Sequence, residues 1–177
     1  MIAPEDRISK VRNQYGRTIE DILAKESEFD LYEVLGAIEV LVGSKISKKL
    51  ATTASERMIF AFTWLGREVQ NGGFHQYFFN SAGDFWKDVL YGLRAIGDEQ
   101  GLALFQQTLS IFQESSPSDD RFIRQDQLEK LEEEDEERVW DHFRRMTEQY
   151  FGNAFPKWEA VFDYVKRHKD EFDLRDA

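Results

Sequence analysis

With 177 residues, 41% of them hydrophobic and 14% aromatic, the chain can bury one sizeable core, about 70% of the unfolded surface at this length, and is too aromatic for an acidic disordered segment. The absence of cysteine excludes a disulfide framework, a thiolate zinc site and a cysteine nucleophile, and fits a reducing compartment, with the cytoplasm as the expected location. The net charge of −11 is concentrated in the last third, where 11 basic residues face 18 acidic ones over 116–177, a field that opposes direct nucleic-acid binding and favours cationic partners.

Met1 to Lys10 lacks the apolar core of a secretory signal, and nowhere do about eighteen apolar residues run together, so neither secretion nor membrane crossing is expected. Residues 1–29 are read as an N-terminal helical extension. The spacing of Leu31, Val34, Leu35, Ile38, Leu41 and Val42 predicts a helix over 31–42, with Asp30 as N-cap and Gly43 as its stop. From Ser55 a second apolar stripe, Met58, Ile59, Phe62, Leu65 and Val69, runs into Asn71, Gly72 and Gly73, where the glycines end it.

A segment capped by Asp84 turns Phe85, Val89, Leu90, Leu93 and Ile96 inward, and Gly97 with Asp98 separates it from a helix near 99–113 carrying Leu102, Phe105, Leu109 and Phe112. Residues 115–120 read as an internal loop, since Pro117 restricts φ and the surrounding serines and aspartates compete for backbone partners. Beyond the loop come an acidic helix, a segment with Val139, Phe143, Met146 and Tyr150, and a final helix begun by Pro156. The whole is expected to be a single all-α domain over 1–177, a multi-helix bundle of about seven to nine helices.

Two stretches concentrate the chemistry. In the first, Gly72 and Gly73 let the chain leave a helix, and Phe74, Tyr77, Phe78 and Phe79 follow with the amides of Gln76 and Asn80. Glu68 and His75 would be the acid/base pair of a small hydrolase or transferase, with Asn71 and Gln76 orienting a substrate, if both reached one proton. The residues themselves favour a packed corner, because an amphipathic ring that packs and donates one bond suits any core edge. No catalytic residue, cofactor or metal site is therefore expected. His75, His142 and His168 show neither His-Glu-x-x-His nor EF-hand spacing.

In order, Glu68, Asn71, Gly72, Gly73, Phe74, Gln76, Tyr77, Phe78 and Asn80 resemble the Glu, Asn-Gly-Gly-Phe, Gln-Tyr-Phe, Asn pattern of a bacterial DNA-mimic family grouped as a domain of unknown function. The helix order is similar over about residues 30 to 155. The resemblance implies an all-α fold, homodimerisation, and an acidic surface that imitates DNA toward DNA-binding proteins. The motif itself is not acidic, so mimicry rests on carboxylates elsewhere.

Those carboxylates are Asp126, Glu129, Glu132, Glu133, Glu134, Asp135, Glu136 and Glu137, interrupted by Lys130. A helix would space the consecutive acids by about 1.5 Å, against about 1.7 Å per charge in duplex DNA. On a continuous helix only Glu129, Glu133 and Glu137, or Glu132 and Glu136, share a face, and like charges at that spacing cost about 0.2 to 0.5 kcal/mol each. The leading expectation is a non-enzymatic protein that binds a basic DNA-binding protein. An immunity or antitoxin protein covering a basic nuclease would use the same complementarity.

Overall fold

The structure, a computed structural model, describes residues 4–153 and 156–177. The first positions of the expected N-terminal extension, 1–3, and the end of the family-like stretch, 154–155, lie outside the described residues. The described residues form eight α-helices and contain no strand. They are α1 (Pro4–Tyr15), α2 (Ile19–Leu23), α3 (Leu31–Ser47), α4 (Ala54–Phe79), α5 (Trp86–Ala95), α6 (Glu99–Leu109), α7 (Arg121–Asn153) and α8 (Trp158–Arg167). Two compact units emerge, one of residues 1–63 with 158–177 and one of residues 64–157.

In the first unit the starts of α2 and α3 are written locally. Asp30 accepts from the Glu33 amide at 2.9 Å and the Glu33 carboxylate accepts from the Asp30 amide at 3.1 Å, a reciprocal cap that fixes the first turn of α3. Thr18 and Asp21 do the same for α2. Gly43 does not stop α3, which continues to Ser47. A Cβ at Gly43 would lie 3.1 Å from the Phe60 ring, so the glycine admits an aromatic ring in mid-helix. Within the N-terminal stretch, Tyr15, Ile19 and Ile22 are buried in the core.

At the centre of this unit Lys45 and Glu56 form a buried ion pair, with Nζ 2.7 Å from both carboxylate oxygens. The remaining valences are filled by backbone: Lys45 donates to the Asp173 carbonyl at 2.7 Å, and Glu56 accepts from the amides of Thr53 and Asp173, each at 3.0 Å. The pair thus fastens the segment after α8 to the junction of α3 and α4.

The second unit is built from the later part of α4, a 3-10 turn over Ser81–Phe85, and α5 to α7. Phe74, Phe78, Phe105, Phe112 and Phe143 pack there with little or no exposure. Several boundaries differ from the sequence reading. Asp84 caps nothing; it lies in the 3-10 turn, and α5 starts at Trp86 without a side-chain cap. Helix α6 ends at Leu109, short of 113, after Asp98 caps it through the Gly101 amide at 2.9 Å. Helix α8 starts at Trp158, two residues beyond Pro156.

Replacing Lys45 with Met leaves the Glu56 carboxylate buried without its cation, so urea denaturation should show a loss of about 3 to 5 kcal/mol. Lys45→Met with Glu56→Leu should recover much of that loss, because the uncompensated charge is then gone.

Candidate functional site

The glycine pair breaks α4 between two helical stretches. Gly73 has φ +76°, the left-handed region, and a Cβ there would stand 2.8 Å from the Thr147 hydroxyl oxygen. That hydroxyl accepts from the Phe74 amide at 3.1 Å and donates to the Phe143 carbonyl at 2.8 Å, so α7 caps the restarted helix from outside. Glu68, before the break, accepts from Gln76 at 2.7 Å and Asn80 at 2.8 Å, both after it. One carboxylate therefore clamps the two sides together. Behind it Phe74 meets Tyr150 edge-on at 5.8 Å, and Phe78 meets Phe112 at 5.0 Å. Burial pushes the Tyr150 phenol up to about 12 and drives that of Tyr77 further in the same direction.

Glu68 and His75, the acid/base pair of the alternative hydrolase or transferase reading, share no hydrogen bond. The partner of His75 is Glu132, with Nε2 2.7 Å from Oε1, and its ring stacks on Trp140 at 4.2 Å. Gln76 is committed to Glu68, and Asn71 is exposed. The corner is a fixed polar and aromatic assembly in which the Glu68 carboxylate and the His75 ring each hold a separate partner.

Sequence reasoning missed Arg124. Its side chain has no exposed surface, yet it donates to the carbonyls of Phe78 at 2.6 Å, Ser118 at 2.6 Å and Asn80 at 2.8 Å, and to the Asp84 carboxylate at 2.7 Å. The guanidinium satisfies carbonyls at the end of α4, where a cation also meets the negative end of the helix dipole. A signal was present: Arg124 stands four residues before Leu128, on the apolar face of an otherwise acidic helix.

Helix α7 is not continuous through the acidic run. Asp135 leaves helical geometry (φ −164°, ψ 84°), and its carboxylate accepts from the Arg138 amide at 3.0 Å, capping the second half. The faces expected for Glu129, Glu133 and Glu137, and for Glu132 and Glu136, assumed an unbroken helix; the break falls inside both sets, so neither is one aligned row. Repulsion at four-residue spacing accumulates in this stretch, and an aspartate that can cap a new start lets the helix interrupt there. Glu132 is also not a free surface charge, being held by His75 with its side chain 30% exposed. Asp126, Glu129, Glu133, Glu134, Glu136 and Glu137 are exposed, and none has a cationic partner among the described residues. Asp135 lies 3.9 Å from Arg138 Nε.

The second half of α7 and the glycine break enclose a groove of about 500 Å³. His75, Trp140, Phe143 and Phe151 give it an aromatic lining, and Glu137, Asp141, Arg144 and Glu148 stand around it. Arg144 is shared between Asp141 at 2.8 Å and Glu148 at 2.9 Å, and its hydrogen bond holds the Asp141 carboxyl below the usual range.

Gly73→Val should lower stability by about 1 to 3 kcal/mol through backbone strain. Arg124→Met, which strips several buried acceptors at once, should cost about 3 kcal/mol or more. Urea titrations followed by circular dichroism measure both, and a parent-like midpoint for either variant would contradict the role given to that residue.

Among the described residues no helix is long and apolar enough to cross a membrane. No curated protein and no solved structure matches the chain. A family model described as DMP19-like protein does match, over residues 51–168, a stretch that holds the glycine break, Arg124 and all of the acidic run. Because that match spans well over half of the 177 residues, the chain belongs to the DMP19-like protein family.

Proposed function

We propose that the protein is a non-enzymatic acidic binding protein that engages a basic DNA-binding protein through the carboxylates of α7, in the manner of a DNA mimic, and that it works in the cytoplasm. Membership of a DNA-mimic family supports this reading. The observation that carries it is local: Asp126, Glu129, Glu133, Glu134, Glu136 and Glu137 are exposed with no cation beside them among the described residues. Unpaired surface carboxylates in such number set up a field that steers a cationic partner and repels nucleic acid. The break at Asp135 directs the two halves of the run differently, so the charges present a broader surface than one helical row.

A basic nuclease held by an immunity or antitoxin protein would draw on the same electrostatics, and the identity of the partner separates the two readings. The hydrolase or transferase reading loses its support, since Glu68 is occupied by Gln76 and Asn80 and His75 by Glu132.

Replacing Glu129, Glu133 and Glu136 with Gln keeps size and helix propensity nearly constant while removing three charges. A DNA-binding partner captured from the native host should then bind at least about tenfold more weakly, with a shallower salt dependence, and the parent complex should be competed by duplex DNA. Unchanged affinity and salt dependence in the variant would reduce the run to a solvated face.

The homodimer implied by the family resemblance would double the acidic surface. Light scattering at micromolar concentration should give about twice the chain mass of 20.8 kDa. A mass of one chain would remove the dimer.

A further inference from the structure

We propose that the groove beside the Gly72–Gly73 break seats an apolar anchor side chain, aliphatic or aromatic, from a lysine- or arginine-rich segment of the protein partner. The inference rests on the acidic-binding reading and adds to it a second component that charge alone does not supply.

The groove has the form such an anchor needs. At about 500 Å³ it falls in the range of sites that enclose small ligands and single anchors. Trp140 and Phe151 line it while 48% and 57% exposed, so apolar area remains there for a partner to cover. The tryptophan is also held in place before anything binds: its ring stacks on His75, which is fixed by Glu132 at 2.7 Å. A preset aromatic wall loses little rotamer freedom on binding, and tryptophan is prominent among residues that dominate interface energies. Gly72 and Gly73 line the groove on the side of α4 and add no side chain of their own to it.

Charge decides which segment fits. Arg144 is shared between Asp141 and Glu148, and Glu137 stands at the rim without a cation. Glu133, Glu134 and Glu136 are exposed in the same run of α7. The rim is therefore net negative, and cationic residues flanking the anchor complement it. A second copy of this chain, with a net charge of −11, would bring like charge to that rim. Duplex DNA carries no side chain that could enter the groove. The groove is thus where a surface that imitates phosphate charge tells its proper protein partner from any other polycation.

The test uses synthetic nonapeptides in a two-by-two set, a central leucine or alanine with lysine or glutamate flanks. Affinity is read by fluorescence anisotropy, and location by the amide shifts of Gly72 and Gly73 and the Trp140 indole. The lysine-flanked leucine peptide should bind about tenfold tighter than its alanine counterpart. Phe151→Ser should erase that difference, and Trp140→Ala should do the same if its melting curve matches the parent.

Equal affinity of the two lysine-flanked peptides, or a preference that survives Phe151→Ser, overturns the groove and leaves the acidic reading standing. Lysine-flanked peptides that bind no tighter than glutamate-flanked ones overturn both. A leucine preference independent of the flanks overturns the basic occupant. A sedimentation mass that Phe151→Ser halves assigns the groove to a second copy and overturns the proposal.

Discussion

Arg124 reaches from the second turn of α7 into a space with no solvent, where three carbonyls and the Asp84 carboxylate converge on its guanidinium. The rest of the second unit hangs on this one side chain. A buried cation is tolerable only when its donors are satisfied, so α7 can sit only where the end of α4 and the following turn present those acceptors together. A Cβ at Gly83 would approach Arg124 Nε to 2.8 Å and the Tyr77 carbonyl to 2.9 Å, so that glycine keeps the space open. With the start of α7 fixed, Thr147 arrives under the break in α4 and can cap the restarted helix.

The same placement separates two kinds of surface on one helix. Before and across Asp135, α7 shows solvent a run of carboxylates interrupted by Lys130; beyond it the helix turns aromatic rings toward the glycine break. His75 touches both parts, pairing with Glu132 on one side of Asp135 and stacking on Trp140 on the other. Its position therefore serves the shape of α7 and the preset wall of the groove.

In the first unit a different device does comparable work. The Lys45–Glu56 pair leaves no lone pair idle, because Asp173 supplies both an amide and a carbonyl to it. Well-satisfied buried charges of this kind are weak sources of net stability but strong selectors of one arrangement, since any shift strands a charge. Both units use polar centres to choose a register that their abundant phenylalanine alone would leave less defined.

Much of this was legible in the sequence, for reasons that are local. Helical periodicity, the Asp30–Glu33 cap, the break at Gly72 and Gly73, and the acidic excess of the last third all depend on residues within a few positions of one another, where spacing alone determines which side chains meet. The tertiary structure decided what lies beyond that range. It extended α3 through Gly43 to admit Phe60, and it buried Arg124 against carbonyls more than forty positions away. It also gave His75 to Glu132, 57 residues distant, and not to Glu68, seven residues away. Periodicity reports which face of a helix is apolar; it carries no information about which distant carbonyl or carboxylate that face will meet. Those pairings arise only when packing brings the groups together and the penalty for an unsatisfied buried charge excludes the alternatives.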